Sequence, residues 1–90
     1  MMMEPCLEVT FRHGRPVAAY YYLPRRAGQR SLRTRRVEPG MVIDFARGVK
    51  PIGIEITAPS KVTLVGFNRV LRKLGFPPLK RSDLAPLRAA

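Results

Sequence analysis

Ninety residues carrying 17 lysines and arginines against 6 aspartates and glutamates have a formal net charge of +11. That length holds one small core and excludes a second domain, and a hydrophobic fraction of 46% excludes a disordered chain. A single cysteine excludes an intramolecular disulfide, a single histidine excludes a histidine-rich metal site, and the cationic surplus favours anionic partners: nucleic acid, anionic lipid or an acidic protein.

The start, MMMEPC, lacks the basic and apolar regions of a signal peptide. CLEVTFR, residues 6–12, alternates, with Leu7, Val9 and Phe11 on one face and Cys6, Glu8, Thr10 and Arg12 on the other. HGRP, 13–16, is turn chemistry, and VAAYYYL, 17–23, is a second strand. Val17, Ala19, Tyr21 and Leu23 share one of its faces; Ala18, Tyr20 and Tyr22 share the other. This is also the longest mainly apolar stretch, too short to span a bilayer, so a cytoplasmic protein with no membrane partner is expected.

PRRAGQR, 24–30, breaks the pattern, and SLRTRRV, 31–37, alternates weakly as an edge strand whose charge discourages aggregation. After the turn EPG, Met41, Ile43 and Phe45 share a face, then Ile52, Ile54 and Ile56 do the same beyond the Gly48 turn. The same period turns Asp44 and Glu55 outward. At residue 60 the period changes. Leu64, Phe67, Val70, Leu71 and Leu74 form a helical stripe, Ser60 is the expected N-cap and Gly75 the stop. Residues 76–90 are expected to be a Pro-rich, frayed tail, with Ser82 and Asp83 able to cap a short turn.

The expected architecture is therefore α+β: an antiparallel β-meander of four or five strands over 6–57, with one C-terminal helix over 60–74 packed on one face. Residues 1–75 form the domain; strand order and register stay open.

Three of these segments resemble the small bacterial domain family DUF2283, over roughly residues 7–57. They are VAAYYYL, an apolar-tyrosine second strand, VEPGMVIDF, and GVKPIGIEI. The family carries acidic residues before and within its second strand, where this chain has Arg15 and Val17. The resemblance implies a compact meander followed by a helix or tail, with no assigned activity. It also implies an antitoxin-like role, since some such domains look as though they are encoded beside small ribonuclease-like toxins.

Among candidate sites, Arg25, Arg26, Arg30, Arg33, Arg35 and Arg36 are six guanidinium groups in twelve residues, a clamp for phosphates with Tyr20 and Tyr22 as stacking platforms. The plainer reading is a solvated loop and edge strand. Arg69, Arg72, Lys73, Lys80 and Arg81 read as a solvated helix face and tail. Asp44 and Glu55 lack a nucleophile or histidine partner, so structural ion pairing with Arg33 or Arg35 is expected rather than catalysis. Cys6 and His13 are isolated and indicate no metal. Tyr20 and Tyr22, on the face the helix leaves open, suit a homodimer or a small protein partner. The sequence thus points to a non-enzymatic binding module, antitoxin-like or accessory, with nucleic-acid binding through the arginines as the alternative. No cofactor, metal or small-molecule ligand is indicated.

Overall fold

The computed structural model describes residues 2–88. Its strands are β1 (Cys6–Arg12), β2 (Arg15–Tyr22), β3 (Arg33–Glu38), β4 (Met41–Ala46) and β5 (Lys50–Ile56). They form one five-stranded sheet in the spatial order β1-β2-β5-β4-β3, with every neighbouring pair antiparallel. This is the expected meander, built from a β1–β2 hairpin and a β3–β4–β5 unit. One long-range pairing, β2 with β5, docks the two. The β1–β2 loop places His13 and Gly14 at φ 53° and 76°, the mirror-image turn that matches strand twist. Met2–Met3 pairs with Arg25–Arg26 as a separate two-stranded ladder, and residues 27–32 carry the chain to the far edge.

Alternation sets the faces. On the covered face, Leu7, Tyr21, Ile54, Ile43 and Arg35 lie side by side across all five strands. Ile54 and Ile56 are 0% exposed, each contributing about 1.5–3 kcal/mol of burial. Phe67 from the helix meets Tyr21 edge-on, with ring centroids 5.4 Å apart. Phe11 and Val17 depart from the expected inward face, at 47% and 44% exposure. The register shifts between Thr10 and Phe11, which leaves Val17 as the extra residue and turns this end of the hairpin away from the core.

The helix begins later than its stripe suggests. Pro59–Lys61 is a 3-10 turn, and α1 spans Leu64–Leu74. Thr63, not Ser60, is the N-cap; its Oγ1 accepts from the Gly66 N–H at 3.0 Å. Val62 explains the delay: it is 0% exposed and adopts an extended conformation, so it enters the core before the chain can coil. Gly75, at φ 85°, ends α1 in the left-handed region and donates its N–H to the Arg72 carbonyl.

The expected frayed end is corrected over 76–88. Arg81–Arg88 form a 3-10 helix whose Leu84 and Leu87 are buried in the same core as α1. This helix contacts β1 and β2, the part of the covered face that needs a second lid. Asn68 pins the connection, donating to the Leu79 carbonyl at 3.1 Å and accepting from the Leu79 N–H at 2.8 Å. Asp83 accepts from the Lys80 N–H at 2.8 Å. Arg88 donates to the carbonyls of Pro59 and Val62, tying the last turn to the entry of α1. The domain therefore runs to residue 88; the end of the expected tail, 89–90, lies outside the described residues. Leu84→Ala is expected to lower stability by about 2–4 kcal/mol in denaturant titrations, because a well-packed side chain leaves a cavity; an effect below about 0.5 kcal/mol would mark the tail as dispensable.

Candidate functional site

The uncovered sheet face carries two tyrosines and half of the chain's acidic residues. One row across it is Glu8, Tyr20, Glu55, Val42 and Arg36; the next is Cys6, Tyr22, Gly53, Asp44 and Thr34. Asp44 and Glu55 do leave the core side, as alternation requires. Their expected ion pairs with Arg33 or Arg35 are not formed, and the register gives the reason. Arg33 pairs with Phe45 and Arg35 with Ile43, so both point to the covered side. Thr34, which pairs with Asp44, and Arg36 are the β3 residues that share its face.

The partner of Asp44 is instead Tyr20, whose hydroxyl donates to Oδ2 at 2.8 Å. To reach from β2 to β4, the Tyr20 ring lies directly over Gly53 of the intervening strand. A Cβ at Gly53 would collide with the ring and its hydroxyl, so glycine is what lets the ring hold this position. Tyr22 leans the other way and donates to Glu8 Oε1 at 3.1 Å. The two rings stay in tilted contact, 4.7 Å between centroids, and Arg25 sits 4.9 Å over Tyr22 as a cation–π partner. Burial first, then the hydrogen bond and charge of Asp44, push the Tyr20 hydroxyl well above the ordinary tyrosine range. Tyr22 is raised mainly by its bond to Glu8, and Tyr21, under the core, by burial.

The structure divides the six candidate arginines. Arg25 and Arg26 belong to the small ladder with Met2–Met3, and Arg36 points to the uncovered face. Arg30, Arg33 and Arg35 are brought together with two residues outside the candidate set, Arg47 and Lys73. Arg30 and Arg47 flank a shallow depression containing Leu32 and Ala46. Arg33 and Arg47 flank the adjoining one, which shares Leu32 and Ala46. Arg35 and Lys73 then rim a groove of about 380 Å³ between β3 and α1, lined by Ile43, Phe45, Val70 and Leu74. Phe45 lines both the second depression and this groove. The five cations thus follow one continuous surface along the β3 edge, and all five are exposed.

Glu38 is the carboxylate that lines this surface, and it is engaged. Arg69 Nη1 contacts its Oε1 and Oε2, both at 3.1 Å, the one salt bridge among the described residues. Arg47 follows the β4 strand in a turn where Val49 takes φ 58°, a strained conformation for a β-branched residue, with its side chain 63% exposed. Leu32 is 61% exposed beside it, so the surface carries apolar contacts among its charges. The sequence signal for Lys73 is its helical spacing from Arg69, which places both toward β3. Arg47 carries no signal until the register is known.

Cys6 is an exposed free thiol at the sheet edge, and His13 lies in the β1–β2 loop. Among the described residues, no group of three or more histidines, cysteines, aspartates or glutamates is placed to hold a metal ion, and no helix is long and apolar enough to cross a membrane. No family model, curated protein or solved structure matches this chain; the resemblance to DUF2283 rests on the three quoted segments.

The raised tyrosines set a pH dependence. The folded state holds the phenolic protons more tightly than the unfolded chain does. Their stabilisation is therefore complete below the ordinary tyrosine value of 10.0 and is lost as pH rises through the higher folded values. Tyr20→Phe is expected to cost about 1–2 kcal/mol at neutral pH and to flatten the alkaline decline, read by denaturant titration from pH 7 to 11. An unchanged decline in the variant would remove the Tyr20–Asp44 bond as its source.

Proposed function

We propose that the chain is a small non-enzymatic binding module, accessory or antitoxin-like, whose protein partner presents carboxylates to the β3 edge. One observation carries the reading: Arg30, Arg33, Arg35, Arg47 and Lys73 line a continuous surface, and its carboxylate, Glu38, already pairs with Arg69. Positive charge without local compensation favours an anionic ligand and accelerates its encounter. Of the two carboxylates that acid–base chemistry would use, Asp44 is occupied as an acceptor from Tyr20, and Glu55 stands exposed on the open sheet face. The resemblance to DUF2283 is in keeping with an antitoxin-like role. The proposed setting is the cytoplasm, where the exposed Cys6 thiol stays reduced.

A homodimer through the uncovered sheet face, with Tyr20 and Tyr22 at its centre, is less favoured. Glu8, Asp44 and Glu55 share that face, and a two-fold contact would bring two such sets of carboxylates into one interface. Nucleic acid is the second reading, favoured by the continuity of the cationic surface and by guanidinium–phosphate geometry. In it Arg30, Arg33 and Arg35 meet the backbone together with Arg36, which also lines the groove between β3 and α1, while Arg25 and Arg26 lie off the strip.

A charge-matched comparison tests the reading. The variant Arg33→Glu/Arg35→Glu/Lys73→Glu is set against Arg12→Glu/Arg15→Glu/Arg81→Glu, which has the same net charge. Binding of polyglutamate and of single-stranded and duplex oligonucleotides is followed by fluorescence anisotropy across a salt series. Polyglutamate binding is expected to weaken more than about tenfold in the first variant and less than about threefold in the second. Equal losses would reduce the effect to net charge alone. A strip-dependent loss confined to oligonucleotides would favour the second reading.

A further inference from the structure

We infer that the partner adds an extended acidic segment to β3 as a sixth strand of the sheet. The inference rests on the anionic-partner reading and assigns its mode of attachment. β3 is the last strand of the sheet and pairs with β4 alone, so its other side presents a row of backbone donors and acceptors. Beside it, the groove between β3 and α1 offers a place for side chains on the covered side, with Arg35 and Lys73 on its rim and Phe45 and Leu74 in its lining. The other edge, β1, is less suited. It carries Glu8, already bonded to Tyr22, in place of a row of arginines, and the Arg81–Arg88 helix packs against it; a register shift occurs in both edge strands, between Thr10 and Phe11 in β1 and between Arg36 and Glu38 in β3.

Charge selects the occupant. Arg33 and Arg35 project to the covered side of the edge and Arg36 to the uncovered side, so an added strand meets positive charge on both of its faces. Directly opposed like charges destabilise a strand pair, and opposite charges stabilise it. A second copy of β3 would therefore be repelled, and so would any basic strand. A segment alternating glutamate or aspartate with β-branched residues is matched on both faces while its backbone completes the ladder. The same arginines that keep this edge from pairing with itself thus define what it accepts.

The test uses the full chain and three probes: an acetylated, amidated peptide alternating glutamate and valine, its lysine–valine counterpart, and a single-stranded oligonucleotide of charge equal to the first. Affinity is measured by anisotropy, and backbone attachment by residue-resolved amide hydrogen exchange. The glutamate–valine peptide is expected to bind and to slow exchange of amides within 33–38 by at least about tenfold, while the lysine–valine peptide does neither. Arg33→Glu/Arg35→Glu should weaken the acidic peptide by more than about tenfold, and Arg33→Lys/Arg35→Lys should retain most of the affinity, with unchanged thermal midpoints showing that both variants fold. Binding of the acidic peptide without protection of β3 overturns strand addition and leaves the anionic-partner reading standing. Binding of the oligonucleotide alone overturns strand addition and transfers the surface to nucleic acid. If neither anionic probe binds, strand addition and the anionic-partner reading fall together.

Discussion

Leu7, Tyr21, Ile54, Ile43 and Arg35 form a single line across the covered face of the sheet, and the rest of the molecule is arranged around it. Four of its members are apolar and one is not. Ile54, at the centre, is sealed from water, and Phe67 of α1 packs on neighbouring Tyr21. Burial of this line and of the isoleucines flanking it supplies the main driving force that holds β2 to β5, a pairing with no local turn to enforce it. Where the line reaches the edge, helix cover runs out and an arginine replaces the apolar residue. The core and the candidate binding surface are consecutive positions of the same register.

This continuity decides how much was legible beforehand. The alternation of Met41–Phe45 and Ile52–Ile56 is local, and it identified both strands, their inward faces and the outward carboxylates. The docking of β2 against β5 is not written in any local signal, because both strands offer apolar inward faces that would suit several neighbours. Without that register, the partners of Asp44 were illegible. Parity within SLRTRRV was visible, yet nothing indicated that Thr34 rather than Arg33 or Arg35 would stand opposite Asp44. Ser60 and Thr63 are both competent caps, and the choice fell to Val62, whose burial is a tertiary fact. The tail misled for a related reason. Its prolines and charges resemble a free end, while Leu84 and Leu87 are recognisable as core only once β1 and β2 are seen to lack a cover.

The arginines show the same division between composition and placement. Their number announced a preference for anions but not a surface. Folding separates the contiguous run in the sequence, sending Arg25 to Tyr22 and Arg36 to the uncovered face, and recruits Arg47 and Lys73 from elsewhere. Meanwhile the uncovered face, which carries Tyr20, Tyr22 and half of the chain's acidic residues, pairs both tyrosine hydroxyls with its own carboxylates. A basic protein thus ties two of these carboxylates, Asp44 and Glu8, to its own tyrosines and leaves its cations unpaired along one border.

The arch of Tyr20 over Gly53 couples three strands. A side chain at 53 would displace the ring at 20 from its place and, with it, the bond to the acid at 44. A change on β5 is therefore felt on β4 through a ring that belongs to neither strand.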